Sequence, residues 1–261
     1  MKNDQLGAFL LLGVCVCMAC CKEPIKTTNT TKNLLNIHAT YAGQPLLIGA
    51  PYPYSGTSKV RFDNLTFYLS DIMLVSSKGT VAVADNLFCD ITAHHATAAG
   101  AAEGETLTLR TDIASDTYTA IRFGIGVAPI YNARSWTTYP TTNPLANADY
   151  YWSTWHSFIF AKVEGKMDTL GTGVQYPVGF SYHTGTDSLY RIITVPIAAF
   201  SVLPNATNTI PITLDVRQLF LNSPTDTFNI RRAPIPRIPP VTVPDIMALH
   251  HLVDNFARAF R

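Results

Sequence analysis

Apolar and polar positions alternate with a period of two along much of the chain, as expected of strands whose successive side chains point to opposite faces. The densest apolar stretch is YYWSTWHSFIFAKVEG, residues 150–165. As a single extended strand it places Trp152, Thr154, His156, Phe158 and Phe160 on one face, and Trp155, Ser157, Ile159, Ala161 and Val163 on the other. Both faces are largely apolar, which predicts a central strand covered on each side. Further strands are expected at LLNIHAT from Leu34, at VRFDNLTFYLSDIMLV (60–75), TVAVA (80–84), NLFCDI (86–91), ETLTLR and TYTAIRFGIGV (117–127), and at VGFSYHTG, SLYRIITVPI and TIPITLDV. Gly, Pro and Asn-Thr turns separate them.

The remaining segments break this pattern. AHHATAAGAAEGE (93–105) is rich in small residues and is expected to be a loop with His94 and His95 in solvent. Residues 128–149 carry three prolines and three asparagines and predict a long ordered loop, a length uncommon unless the segment has a purpose. RQLFLN predicts a single helical turn, and APIPRIPPVTVP (233–244) an extended surface run, since so many prolines exclude a central strand. In DIMALHHLVDNFARAF, Ile246, Leu249, Val253, Phe256 and Phe260 recur at three- and four-residue spacing, an amphipathic helix with His250 and His251 on its solvated side. These pieces predict an all-β antiparallel β-sandwich, immunoglobulin-like or related, with a peripheral C-terminal helix. Residues 33–261 are expected to form one domain.

The first twenty residues bear on the compartment. Lys2 precedes the apolar run LGAFLLLGVCVCMA, long enough for a signal h-region and too short to span a bilayer comfortably. The run ends in Ala19-Cys20-Cys21, which resembles a bacterial lipobox with Cys20 as the lipidated residue and Cys21 as the alternative; a plain cleaved signal peptide is the other option. Residues 1–20 are thus expected to be a lipoprotein signal peptide, and Thr-rich 21–32 a flexible tether. Acylation would hold the protein on a membrane of the cell envelope, in the periplasm or at the outer membrane. Four of the five cysteines lie in the export segment, leaving Cys89 alone and no disulfide framework.

Hydrophobic residues make up 47% of the chain and charged residues 14%, so burial offsets chain entropy and disorder is excluded. The net charge is +1, and residues 1–19 hold one Lys and one Asp, so their removal leaves it at +1 and gives no electrostatic case for nucleic acid. Gly124 and Gly126 lack the third glycine of a dinucleotide loop, and no phosphate-loop ending is present. No Gly-x-Ser-x-Gly elbow occurs, and Ser181 lies too close in sequence to His183 for a triad signature, so no enzymatic activity is expected. Metal binding is the sharper possibility: His38, His156 and His183 all sit in strand-like segments, and imidazole is a common ligand for copper and zinc.

Several blocks taken in order resemble the MbnP-like copper-binding family, named for a periplasmic protein encoded with methanobactin genes. They are FDNLTFYLSDIML, YTAIRFGIGV followed by Asn132, YYWSTWHSFIFAKVEG, FSYHTG and LVDNFARAF. The resemblance implies an exported all-β protein that binds copper beside a dihaem peroxidase-like partner able to oxidise a tryptophan to a kynurenine-type ligand. His183 matches the family's histidine before glycine, and His38 lies where related lipoproteins carry a histidine. Trp152 and Trp155 match the paired tryptophans, with two residues between them where one is expected and without the preceding glycine. His156 matches no family position, and Ala133 follows Asn132 where some members have histidine. The implied function is storage, delivery or acquisition of copper by His183 and His38, with His156 or an oxidised Trp155 or Trp152. A different class of function, a surface module binding glycan or protein through the aromatic loop 131–139 with Trp136, is the alternative.

Overall fold

A computed structural model of the chain describes residues 30–223, 225–232 and 243–261. The expected signal peptide with Cys20, nearly all of the tether, and the proline-rich run 233–242 lie outside the described residues.

The chain begins with β1 (Lys32–Tyr41), two short strands β2 (Gln44–Pro45) and β3 (Tyr52–Pro53), then the long β4 (Lys59–Ser76) and β5 (Gly79–Asp90). Two small helices, α1 (Ile91–His94) and α2 (Ala98–Glu103), lead to β6 (Glu105–Leu109) and β7 (Thr117–Ile125). After α3 (Pro129–Asn132) come β8 (Tyr151–Trp152), β9 (Ser157–Asp168), β10 (Val178–Gly185), β11 (Arg191–Ser201) and β12 (Thr207–Asp215). A hairpin of β13 (Leu221–Ser223) and β14 (Asp226–Thr227) and the helix α4 (Val243–Ala259) complete the described elements.

The strands form two facing sheets. In the smaller, β1 is flanked by β12 and by β6 and β2; the β1–β12 pair is parallel, and the others antiparallel. In the larger, β4 is the hub. Its first part pairs with β9, its second part with β7, and β5 runs antiparallel beside residues 66–76. β10 extends the sheet beyond β9, and β11 beyond β7. Leu35, Ile37 and Ala39 of β1 meet Phe62, Leu65 and Phe67 of β4 in one core between the sheets. The expected antiparallel sandwich is therefore present, with one parallel pair.

Three expectations change. Residues 150–165 are not one strand: β8 and β9 form a hairpin, with Tyr151 opposite Phe158 and Trp152 opposite Ser157. The turn closes through Trp155 N donating to Trp152 O at 3.0 Å, and His156 takes a left-handed φ of 51°. From Ser157 onward the predicted two-faced burial holds. Ala161 and Val163 join the inter-sheet core, while Phe158 and Phe160 pack outward with Tyr68, Val127 and Leu145 in a second apolar cluster.

The expected loop 93–105 contains α2, because the Thr97 side chain caps Gly100 N and short alanine-rich sequence favours helix once capped. Gly104 ends it with φ 76°, and a Cβ there would lie 2.8 Å from Ile37 O.

The C-terminal helix is not peripheral. Leu249, Leu252, Val253, Phe256 and Phe260 are buried, and Phe256 and Phe260 pack on Phe67 at ring separations of 5.8 and 6.1 Å. Thr213 and Arg261 exchange backbone hydrogen bonds, which fastens the chain end to β12. Because Phe256 is fully buried against Phe67, Phe256→Ala should destabilise the fold by about 3–5 kcal/mol, read as a lower urea midpoint with unchanged slope.

Candidate functional site

On β10 the side chains of Phe180 and Tyr182 enter the core, so those of Ser181 and His183 face outward. Register sets Ser181 opposite Glu164 and His183 opposite Lys162 on β9. Four polar side chains thereby share one outer patch. His183 Nε2 lies 2.6 Å from Glu164 Oε1 and 3.1 Å from Ser181 Oγ, while the Ser181 hydroxyl donates to Glu164 Oε1 at 3.0 Å. Glu164 Oε2 accepts from Asn64 Nδ2 at 3.0 Å. The Thr92 hydroxyl donates to Asn64 Oδ1 at 3.1 Å, and its oxygen accepts from Leu65 N at 2.8 Å. The chain of bonds thus runs from β10 across β9 and β4 to α1. Burial pushes the Glu164 pKa up, but the bonds from His183, Ser181 and Asn64 outweigh it and hold the carboxyl below its ordinary range.

Lys162 is turned aside from this group. Its ammonium sits 3.9 Å from the centroid of the Tyr150 ring and donates to Asp149 O at 3.1 Å, and burial lowers its pKa. Ser181 and Glu164 both meet the same ring nitrogen of His183. A nucleophile relay needs hydroxyl and acid on opposite nitrogens, so this arrangement does not activate Ser181.

The hairpin brings the indoles to the same end of the sheet. The Trp152 ring lies over Gly185, two residues beyond His183, where a Cβ would be 2.4 Å from Trp152 Cζ3. Trp155 is half-buried in the turn and His156 is exposed beside it. Asn132 anchors the base of this hairpin: its Oδ1 accepts from Phe158 N at 2.8 Å and from Ser157 Oγ at 3.3 Å, and its Nδ2 donates to Asp187 Oδ1 at 2.8 Å. Ser157 Oγ in turn accepts from Thr186 N at 3.0 Å, which ties the hairpin to the segment after β10.

His38 is not brought to His183. Its neighbours Ile37 and Ala39 face the core, so His38 points outward from the smaller sheet, beside Gly104, while His183 points outward from the larger one. The core lies between them. Among the described residues no three His, Cys, Asp or Glu side chains converge as a metal centre. His183 therefore offers one imidazole, with the Trp152 ring over Gly185, two residues further along the chain.

Of the other histidines His94 is exposed, as expected, while His95 is buried and His250 and His251 are half-buried. His95 is fully buried and its Nδ1 meets Leu46 O at 2.7 Å. His94 pairs with the buried carboxylate of Glu105. His250 Nδ1 is 3.1 Å from Arg191, and His251 stacks on Phe228 with ring centroids 5.1 Å apart. In the aromatic loop, Tyr131, Trp136 and Tyr139 pack against the outer cluster of Tyr68, Phe158 and Phe160 rather than standing free.

Residues 30–237 match the family model for MbnP. The chain belongs to the MbnP family. Among solved structures it is similar to MbnP from Methylosinus trichosporium, at 15% identity over 72% of this chain and 76% of that one, with a TM-score of 0.44. No curated protein matches it. Membership associates the chain, in coarse terms, with copper handling.

Glu164, Asn64, Thr92 and Asn132 were not among the site residues expected from sequence. Alternation places Lys162 with Glu164 and Ser181 with His183, yet only the strand register sets one pair against the other.

His95 supplies a pH prediction independent of that site. Burial pulls its pKa below 6.5, so the folded state resists the proton that the unfolded chain takes up near pH 6.5. Stability should be unaffected by this group above about pH 7.5 and should fall as the pH drops through about 6.5 towards the lowered folded value. His95→Asn, which keeps an N–H for Leu46 O, should flatten that slope when denaturation midpoints are compared between about pH 7.5 and 5.5.

Proposed function

We propose that this MbnP-family protein is an envelope-anchored lipoprotein that binds copper for storage, delivery or acquisition, without catalytic turnover. The observation that carries this is His183: a half-buried imidazole, its side chain 28% exposed, fixed by a carboxylate through one nitrogen and without a hydrogen-bond partner among the described residues at the other. Metal-binding histidines characteristically engage a carboxylate in this way. An imidazole donor fits copper(I), which accepts low coordination numbers. His183 would hold the ion, with a second donor from the β8–β9 hairpin, either an oxidised Trp152 or Trp155, or His156 from the turn. Bound copper would supply a soft, redox-active centre. The residues of this chain orient the imidazole and shield it on its sheet side. A dihaem peroxidase-like protein is the proposed partner for tryptophan oxidation, and lipidated Cys20 the proposed anchor, at the periplasmic or outer membrane.

Copper(I) titration of the metal-free domain should give one ion per chain for the native sequence, loss of that ion in His183→Ala, and no change in His38→Ala. Equal stoichiometry and affinity in His183→Ala would remove the site. For the anchor, Cys20→Ala should move the full-length protein from the membrane fraction to the soluble one; unchanged fractionation and unchanged mass of the N-terminal peptide would rule out lipid at Cys20.

A further inference from the structure

The structure assigns Glu164 as a positioning residue that holds the proton of His183 on Nε2 and so leaves Nδ1 as the metal-binding atom. This rests on the copper-binding reading of His183 for its functional meaning, but its structural content stands without a metal. An ionised carboxylate oxygen only accepts hydrogen bonds. With Glu164 Oε1 at 2.6 Å from His183 Nε2, two lone pairs would face each other unless Nε2 carries hydrogen. Ser181 does not supply the alternative, because its hydroxyl is 3.0 Å from the same Oε1 and donates there. Asn64 then fixes the far oxygen: its Nδ2 donates to Oε2, while its Oδ1 is held by the Thr92 hydroxyl. Every member of the chain thus has a defined direction of donation. The carboxylate has no freedom to rotate without breaking its bonds to β10 and β4.

In its neutral form, an imidazole protonated at Nε2 presents a bare lone pair at Nδ1. Among the described residues no group hydrogen-bonds that nitrogen. Lys162, the cross-strand neighbour and the nearest cation by register, is drawn off over the Tyr150 ring and to Asp149 O, so it does not repel an incoming metal ion at close range. The bond to a carboxylate also raises the electron density of the ring, which strengthens the opposite nitrogen as a donor.

The test uses nitrogen-detected NMR of the labelled protein, first metal-free and then loaded with silver(I), a closed-shell mimic of copper(I). In the metal-free protein the His183 Nε2 proton should be protected and visible at about pH 8, above the ordinary imidazole pKa. It should remain in Glu164→Gln, whose amide oxygen still accepts, and in Ser181→Ala, and vanish into solvent exchange in Glu164→Ala. On silver loading, the coordination shift should fall on Nδ1 with Nε2 still protonated, and Glu164→Ala should weaken silver binding by about 10–100-fold at unchanged stoichiometry. A metal shift on Nε2, or a protected proton at Nδ1 in the metal-free protein, would overturn the assignment. So would a Glu164→Ala variant with the proton and the affinity both unaltered. If silver and copper bind nowhere on the native domain, the copper reading fails while the metal-free spectra still decide the role of Glu164.

Discussion

Burial of β9 on both faces is the constraint on which the arrangement depends. From Ser157 to Ala161 this strand is buried on both faces, so it needs a core beneath and a cover above. The core beneath is the ordinary interior of a sandwich. The cover is built from residues 128–151: Tyr131, Trp136, Tyr139, Tyr150 and Tyr151 pack against the outer cluster of Phe158 and Phe160, and Tyr139 and Tyr151 meet the Phe158 ring edge-to-face, contacts worth about 0.5–1.5 kcal/mol each beyond area burial. Tyr68 joins from β4, its hydroxyl donating to Pro144 O at 3.0 Å, so the cover is tied to the hub strand as well.

That cover fixes where polar chemistry is allowed. It spans the first half of β9 and ends at Lys162, whose ammonium lies over the Tyr150 ring, with Glu164 half-buried at its margin. There the sheet surface is neither core nor open solvent, a setting in which carboxylate and imidazole keep partial hydration and still gain from fixed hydrogen bonds. The β8–β9 hairpin marks the same margin. Asn132 reaches from α3 to the first residues of β9, and Thr186 reaches back to Ser157, so the indole over Gly185 and the imidazole two residues earlier are mounted on one frame.

The sequence was informative wherever burial followed a simple period. Phe158 through Val163, the strands around them and the apolar stripe of α4 were legible because two-residue and helical spacings translate directly into buried faces. Tertiary packing decided the rest. Nothing in the spacing of YYWSTWHSFIF distinguishes a continuous strand from a hairpin, since the turn depends on His156 adopting a left-handed conformation that an L-residue tolerates only when its neighbours enforce it. The small-residue run 98–103 has no periodicity of its own, and its helix depends on the Thr97 cap. His95 was placed in solvent because its surroundings are small residues, yet its ring nitrogen is anchored to Leu46, almost fifty positions earlier by sequence separation of 49. The Glu164 group was the least legible part, because it exists only through the registers of β4, β9 and β10.

The same reasoning separates the two histidines that sequence joined. Each occupies an outward position on a strand whose alternate residues fill the core, and such positions on facing sheets diverge by construction. A metal shared by His38 and His183 would require one strand to turn its apolar residues out and its polar ones in. A one-residue slip of that kind would expose Leu35, Ile37 and Ala39 on β1, or Phe180 and Tyr182 on β10, at a cost of about 1.5–3 kcal/mol for each large side chain. No single coordination bond from an imidazole justifies that loss across a whole strand. On the proposed copper reading, a donor that complements His183 comes from its own side of the core, where the β8–β9 hairpin is held over the end of β10 by Trp152 against Gly185.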